Sequence, residues 1–245
     1  MTARVCVLGP SGKMGRAVIA AAEGRMEVVS TLDEHGSAST ALAPCDVYVD
    51  FSTPAGTRLA AIAATGLRKA AVIGTTGLGR DDDEAIAALA QVAPVVVAAN
   101  FSLGVNLVLG LAREAARVLG TEWDAEVSEI HHNKKRDAPS GTALAIARAI
   151  AAGHGSDYDA VKRHARDGEV GARPVGEIGV TAIRGGDVVG EHTAFFFGAA
   201  ERIEISHRAT SRSIFAVGAL RAAAWVVGKP PGRYDMQHVL GFAQP

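Results

Sequence analysis

Five short apolar runs, at residues 4–8, 27–32, 47–51, 70–73 and 95–98, recur through the first hundred residues, with Ala-rich segments of helical pattern between them at 14–22, 55–64 and 83–91. The runs are rich in β-branched residues and almost continuous, so as strands they offer no polar face to water. A strand apolar on both sides must be covered on both sides. A chain that alternates such strands with helices meets that demand as a parallel sheet with helices on each face. The expected class is therefore α/β, with a Rossmann-like, doubly wound parallel sheet.

Small and polar residues follow every one of these strands. Gly9 to Gly15 follows the first, Asp33 the second, Ser52-Thr53-Pro54 the third, Gly74-Thr75-Thr76-Gly77 the fourth and Ala99-Asn100-Phe101-Ser102 the fifth. Turn chemistry accounts for part of this, but open α/β sheets also bind their ligands at the carboxyl ends of the strands. Beyond about residue 120 the rhythm changes. Residues 124–130 are strand-like, 142–152 helical, and 154–176 read as a long surface loop. Strand-like runs return at 178–183, 188–192, 193–197 and 203–207, with Arg184-Gly185-Gly186-Asp187 as a turn between the first two. That block predicts a second, α+β domain with a mixed or antiparallel sheet. Residues 213–227 form a last apolar helix before a Pro/Gly-punctuated tail.

Composition narrows the function classes. Hydrophobic residues make up 48% and charged residues 21%, which suits a packed chain rather than a disordered one. A formal net charge of −1 argues against nucleic acid and membrane surfaces as partners. No apolar run approaches the roughly 20 residues of a membrane span, and the N-terminus lacks a signal-peptide pattern. Cys6 and Cys45 make neither a disulfide framework nor a zinc site. They read as small buried hydrophobes, and a cytoplasmic location is the default expectation. An anionic ligand must then be held by local positive groups.

Gly9-Pro10-Ser11-Gly12-Lys13-Met14-Gly15 supplies such groups. The glycines let the backbone turn tightly against a pyrophosphate, and the amides of the following helix N-terminus supply donors. The spacing is G-x-x-G-x-x-G, and alone it is equally a structural turn. Asp33, eighteen residues after Gly15, strengthens the case: a carboxylate closing the second strand can accept from both hydroxyls of an adenine ribose. A turn or N-cap aspartate is the plain alternative. Together the two features point to a dinucleotide site.

The chemistry concentrates in Glu129-Ile130-His131-His132-Asn133-Lys134-Lys135-Arg136-Asp137-Ala138-Pro139-Ser140-Gly141-Thr142-Ala143. Histidine and lysine can bind carboxylates and pass protons, while Gly141 and Thr142 offer amides and a hydroxyl at a helix N-terminus. The set suits a small dianion. Surface histidines, a solvated charge run and a simple helix cap are the plain readings of the same residues. No metal is expected. Adjacent histidines on a strand point to opposite faces, and no carboxylate or cysteine cluster completes a shell.

At this segment the chain resembles the dihydrodipicolinate reductase family, whose signature E-x-H-H-x-x-K-x-D-x-P-S-G-T-A is met from Glu129 to Ala143. The likeness extends, in order, to Gly9-x-x-Gly12-Lys13-Met14-Gly15, Val49-Asp50-Phe51-Ser52-x-Pro54, Ile73-Gly74-Thr75-Thr76-Gly77 and Ala98-Ala99-Asn100-Phe101-Ser102-x-Gly104. Downstream it includes Gly185-x-Asp187-x-Val189-Gly190-Glu191-His192 and Ser206-His207-x-Ala209-x-Ser211-Arg212.

The resemblance implies a nicotinamide-dependent reductase of the diaminopimelate and lysine pathway, acting on a small dicarboxylate. It makes His131 and Lys135 the proton donor and acceptor pair, with Lys135 the favoured acid. His132, Lys135, Ser140, Gly141, Thr142 and Arg212 become the grip on the two carboxylates. The cofactor site becomes Gly9, Pro10, Ser11, Gly12, Lys13 and Met14 with Asp33, Gly74, Thr75, Thr76, Ala98, Ala99, Asn100 and Phe101. By the same resemblance, residues 1–102 and 212–245 form the dinucleotide-binding domain and 103–211 the substrate-binding and oligomerisation domain. A homotetramer joined through the mixed sheet is implied.

Two departures from the family bear on the cofactor. The segment between Asp33 and Val47 is short where some members carry an extra strand and loop. Asp33 is followed by Glu34, with no arginine beside it for a 2′-phosphate, so the residues favour NADH over NADPH. Another two-domain dehydrogenase, acting for example on an amino-acid semialdehyde, leaves the His131-to-Thr142 cluster unexplained. A non-catalytic NAD(H)-sensing protein leaves the complete His131/Lys135 pair unexplained.

Overall fold

The structure, a computed structural model, describes residues 3–243. These divide into two compact units, one made by the chain up to Leu103 together with the segment from Ser213 on, the other by Gly104–Arg212.

The first unit is built on a six-stranded parallel sheet. Its strands are β1 (Arg4–Leu8), β2 (Glu27–Leu32), β3 (Val47–Asp50), β4 (Ala70–Ile73), β5 (Pro94–Val97) and, near the C-terminus, β11 (Gly232–Tyr234), in the order β11-β5-β4-β3-β1-β2. All four residues of β3 and of β4 are buried. Their side chains alternate between two cores. Val5, Val7, Val47, Val49 and Val72 pack with α1 (Lys13–Ala22), α8 (Ser213–Val226) and α9 (Met236–Leu240). Cys6, Leu8, Tyr48, Ala71 and Ile73 face the other way, onto α2 (Ala38–Leu42), α3 (Pro54–Leu67) and α4 (Arg80–Ala90). The apolar runs are continuous because both sides of each strand are covered. The chain leaves β1 toward β2 on one side and returns to β3 on the other. Strand order therefore reverses at the β1/β3 pair, and open α/β sheets bind ligands at such switch points, beyond the strand carboxyl ends.

The second unit carries a five-stranded mixed sheet of β6 (Asp124–His131), β7 (Lys162–Arg163), β8 (Ile178–Arg184), β9 (Gly190–Phe197) and β10 (Arg202–Ala209), in the order β10-β9-β6-β8-β7. Strict alternation in β6 and β9 turns Ala125, Val127, Ala194 and Phe196 to one face, against α5 (Leu103–Leu119) and α6 (Gly141–His154). Phe195 and Phe197 stack on the opposite face with ring centroids 5.7 Å apart. Ile183 is 47% exposed, and Arg166 and Arg173 pair with Glu126 at one end of that face.

Several local expectations are corrected. The segment 154–176 is not all loop, since it holds α7 (Tyr158–Val161) and β7. The runs 188–192 and 193–197 are one strand, β9, and the C-terminal tail contains β11 and α9. Helix α4 begins before the Ala-rich pattern, because the Asp82 carboxylate accepts the Gly79 N–H at 2.9 Å and starts the helix there. The Arg184-to-Asp187 turn does lie between two strands, but these do not pair with each other: β8 pairs parallel with β6 and β9 antiparallel with β6. The turn passes over the end of β6, where the Gly185 amide donates to the His131 carbonyl (2.9 Å) and the His132 amide to the Val188 carbonyl (2.8 Å).

Candidate active site

In the first unit, the glycine loop bridges β1 and α1 at the point of strand reversal. Gly9 has φ +68°, and its amide donates to the Leu32 carbonyl at 2.9 Å, tying the loop to the end of β2. A Cβ on Gly15 would lie 2.0 Å from the Gly9 carbonyl oxygen, so α1 packs on the loop as only glycine allows. The N-cap of α1 is Gly12, which has no side chain to satisfy the first amides, and no acidic residue stands in the first turn. Uncapped amides with positive dipole suit the pyrophosphate of a dinucleotide. Lys13 and Arg16 are exposed on that turn, and the Arg16 guanidinium donates to the Ser11 carbonyl.

The neighbouring loops are held by a carboxylate that pattern reading does not single out. Asp50 is fully buried at the end of β3. One oxygen accepts from the Ser52 amide (2.9 Å), the Ser52 hydroxyl (2.6 Å) and the Thr75 hydroxyl (3.1 Å), and the other from the Thr57 hydroxyl (2.6 Å). Thr75 is thus buried with its hydroxyl committed to Asp50, while Thr76 is exposed. Phe101 is 1% exposed and meets Phe51 edge-to-face at 5.7 Å, so its ring belongs to the core. Gly74, Ala98 and Asn100 are partly accessible, and Ala99 is exposed. Asp33 is exposed in the turn after β2, where its carboxylate accepts the His35 amide at 3.0 Å; Glu34 beside it pairs with the His35 ring at 3.4 Å.

In the second unit, the end of β6 gathers much of the signature segment. His131 is buried on the inner face, with Nδ1 2.5 Å from a Glu129 oxygen. Glu129 is itself fully buried. Its carboxylate accepts both Nη groups of Arg184 at 2.8 Å and the Ser140 amide at 2.9 Å. Burial opposes its ionisation, but the hydrogen bonds from Arg184, His131 and Ser140 outweigh that and hold the carboxyl below its ordinary range. Ser140 caps α6 by accepting the Ala143 amide (3.1 Å), and its hydroxyl also lies 3.1 Å from His192 Nε2. His192 meets His131 edge-to-face at 5.1 Å. Lys135 follows in the loop, its ammonium 2.9 Å from Asp137. Gly141 is exposed and Thr142 half-buried on the first turn of α6. His132 is half-buried and Arg212 exposed beyond β10.

Like Asp50 and Glu129, Arg184 and His192 lie in recognisable segments of the sequence but receive no role from it. Nothing local links Arg184 to Glu129, 55 positions earlier. His192 did leave a signal, for the period-two pattern of β9 puts it on the buried face with Ala194 and Phe196.

Burial, with His131 adding to it, pushes His192 down to about 4, and burial also lowers His207 and His154. Between pH 4 and the ordinary value near 6.5, the unfolded chain therefore binds protons that folded His192 refuses. Stability is full above pH 6.5 and falls as the pH drops toward 4, by roughly 3 kcal/mol for this one group. Thermal melts from pH 7.5 to 4 are expected to show a steep decline that is shallower in His192→Gln. An unchanged slope in that variant would remove His192 as a source of acid sensitivity.

The family description "Dihydrodipicolinate reductase, N-terminus" matches residues 3–101, and "Dihydrodipicolinate reductase, C-terminus" matches residues 104–240. The chain is 46% identical to the 4-hydroxy-tetrahydrodipicolinate reductase of Alkalilimnicola ehrlichii, over 99% of this chain and 100% of that one. It is 44% identical to the corresponding protein of Caulobacter vibrioides, over 98% and 97%. Among solved structures, dipicolinate-bound dihydrodipicolinate reductase from Paenisporosarcina sp. TG-14 is similar, with TM-score 0.78, 26% identity, and 96% and 98% of the two chains covered.

Proposed function

The chain belongs to the dihydrodipicolinate reductase family, and on that premise we propose how its own residues share the work of the reaction. The reaction is the NAD(P)H-dependent reduction of 4-hydroxy-tetrahydrodipicolinate to tetrahydrodipicolinate, in the diaminopimelate and lysine pathway. One observation supports the assignment of roles above others. His131, Ser140 and the first turn of α6 are linked through a single buried carboxylate, so a proton-carrying ring and an anion-binding helix start are held in one frame.

The substrate loses its 4-hydroxyl as water, and bound NAD(P)H would supply the hydride that takes its place at C4 of the ring. Lys135 and His131 manage the proton for the adjacent carbon, with Lys135 the acid, and the ammonium stabilises the electron-rich state that precedes protonation. Ser140, Gly141 and Thr142 at the start of α6, with His132, Lys135 and Arg212, hold the two carboxylates. On the cofactor side, Gly9, Pro10, Ser11, Gly12, Lys13 and Met14 receive the pyrophosphate, and Asp33 the adenine ribose. Gly74 to Thr76 and Ala98 to Phe101 border the nicotinamide half. Residues 1–102 with 212–245 are thus the cofactor domain and 103–211 the substrate domain. The test is oxidation of NADH and NADPH with substrate freshly generated by a dihydrodipicolinate synthase. Absence of turnover with either cofactor would overturn the assignment.

Cofactor choice follows from local charge. Asp33 and Glu34 are both exposed where a 2′-phosphate would approach, and like charges at contact distance repel even across partial solvent screening. Lys13 and Arg16 stand on the neighbouring helix turn, and Arg16 is engaged with the Ser11 carbonyl. A modest preference for NADH is expected, and Asp33→Ala with Glu34→Arg should move it toward NADPH. The measurement is kcat/KM for each cofactor. A wild-type enzyme favouring NADPH about tenfold would sink the charge argument.

The open face of the second sheet, with Phe195, Phe197, Ile130 and Ile183, is the surface through which we expect four copies to assemble. Sedimentation velocity should give a tetramer and Ile183→Glu smaller species. A monomer at micromolar concentration in the wild type would refute this assembly.

A further inference from the structure

The buried Glu129–Arg184 pair has a plain reading as a structural tie between β6 and β8, but its geometry goes further. Both Glu129 oxygens are taken up by the guanidinium fork at 2.8 Å, and one of them also lies 2.5 Å from His131 Nδ1. A carboxylate in that position can only accept, so the proton between it and the ring belongs to Nδ1. The other ring nitrogen, Nε2, is then the one that gives and takes a proton. A Cβ on Gly190 would stand 3.0 Å from that atom, and Gly190 has φ +159°, a conformation natural only to glycine. Arg184 also donates to the Asp137 carbonyl at 2.7 Å, which secures the loop that carries Lys135. Glu129 further accepts the Ser140 amide that opens the α6 turn.

We propose that Glu129, locked by Arg184, is a positioning residue for the reduction: it fixes His131 with its proton on Nδ1 and presents Nε2 as the proton-transfer atom. The inference rests on the reading of His131 as a member of the proton-transfer pair. Arg184 is correspondingly a second positioning residue rather than a substrate-binding arginine. Its charge keeps Glu129 ionised in a site with no exposure, where an unpaired carboxylate would otherwise hold the proton itself.

A double-mutant cycle separates positioning from structural support. Glu129→Gln alone should lower kcat by about tenfold or more and leave the KM for NADH within about twofold. In the His131→Gln background, adding Glu129→Gln should change kcat by less than about twofold, since the residue through which it acts is gone. Losses that multiply in the double variant would reduce Glu129 to structural support and overturn the proposal. Near wild-type turnover by His131→Gln alone would instead overturn the reading on which it rests. The wild-type protein gives an answer independent of any variant's folding. In long-range 1H–15N spectra of histidine-labelled enzyme, with His131→Gln identifying the signal, the neutral ring should carry its proton on Nδ1. A neutral ring protonated on Nε2 would refute the proposal.

Discussion

Lys135→Ala is expected to lower kcat by about 10² or more while leaving NADH affinity nearly unchanged, because a positioned acid commonly contributes 10²–10⁴-fold. The side chain is well placed for a clean result. Lys135 lies in the loop after β6, its amide donating to the His132 carbonyl at 3.1 Å and its ammonium pairing with Asp137 at 2.9 Å. Asp137 is 62% exposed, and ion pairs to exposed carboxylates contribute about 1 kcal/mol or less, so truncation should cost little stability. The proposed cofactor residues belong to the other compact unit and keep their own contacts. Steady-state rates, a fluorescence titration with NADH and a melt on one sample resolve the three quantities. Turnover near the wild-type rate would take Lys135 out of the mechanism, leaving His131 as the remaining acid of the pair.

Gly15→Ala should have the second large effect, on cofactor binding. The added Cβ would meet the Gly9 carbonyl oxygen at 2.0 Å, its carbon at 2.8 Å and Pro10 Cα at 2.9 Å. All three are backbone or ring-anchored atoms that no rotamer change can move aside. Either α1 lifts from the sheet or the loop opens, and both spoil the row of amides that receives the pyrophosphate. Overpacking of this kind costs about 1–3 kcal/mol, and the KM for NADH should rise by about tenfold or more. Gly66→Ala is the control: its Cβ meets nothing within 4 Å, and it lies within helix α3, where alanine is favoured. An unchanged KM in Gly15→Ala would show that the loop tolerates displacement and that the cradle reading is wrong.

Much of the first unit was legible because the relevant information is local. A parallel strand covered on both faces must be apolar at nearly every position, and Val47–Asp50 and Ala70–Ile73 show that directly. Glycines at 9, 12 and 15 speak through steric demand, and the Ser140-Gly141-Thr142 turn through capping chemistry. The second unit was less legible. Its strands were found by alternation, but their order was not, since β8 and β9 are consecutive in the chain yet lie on either side of β6. Nothing in Arg184-Gly185-Gly186-Asp187 distinguishes a turn that closes a hairpin from one that passes over a third strand.

The sequence by itself determined the alternation of strands and helices, the glycine loop and the run of His, Lys, Ser and Thr that carries the chemistry. Each of these is a property of neighbours within a turn or two of chain, where period, sterics and capping act. Only the tertiary structure decided which groups surround that chemistry. Arg184 and His192 come from β8 and β9, and they reach Glu129, His131 and Ser140 because β6 runs between those strands. Likewise Asp50 becomes the tie between loops because the ends of β3 and β4 are adjacent in the sheet. Hydrogen bonds and ion pairs depend on distance in space. Strand order sets that distance, and strand order arises from packing of the whole unit rather than from any local pattern of residues.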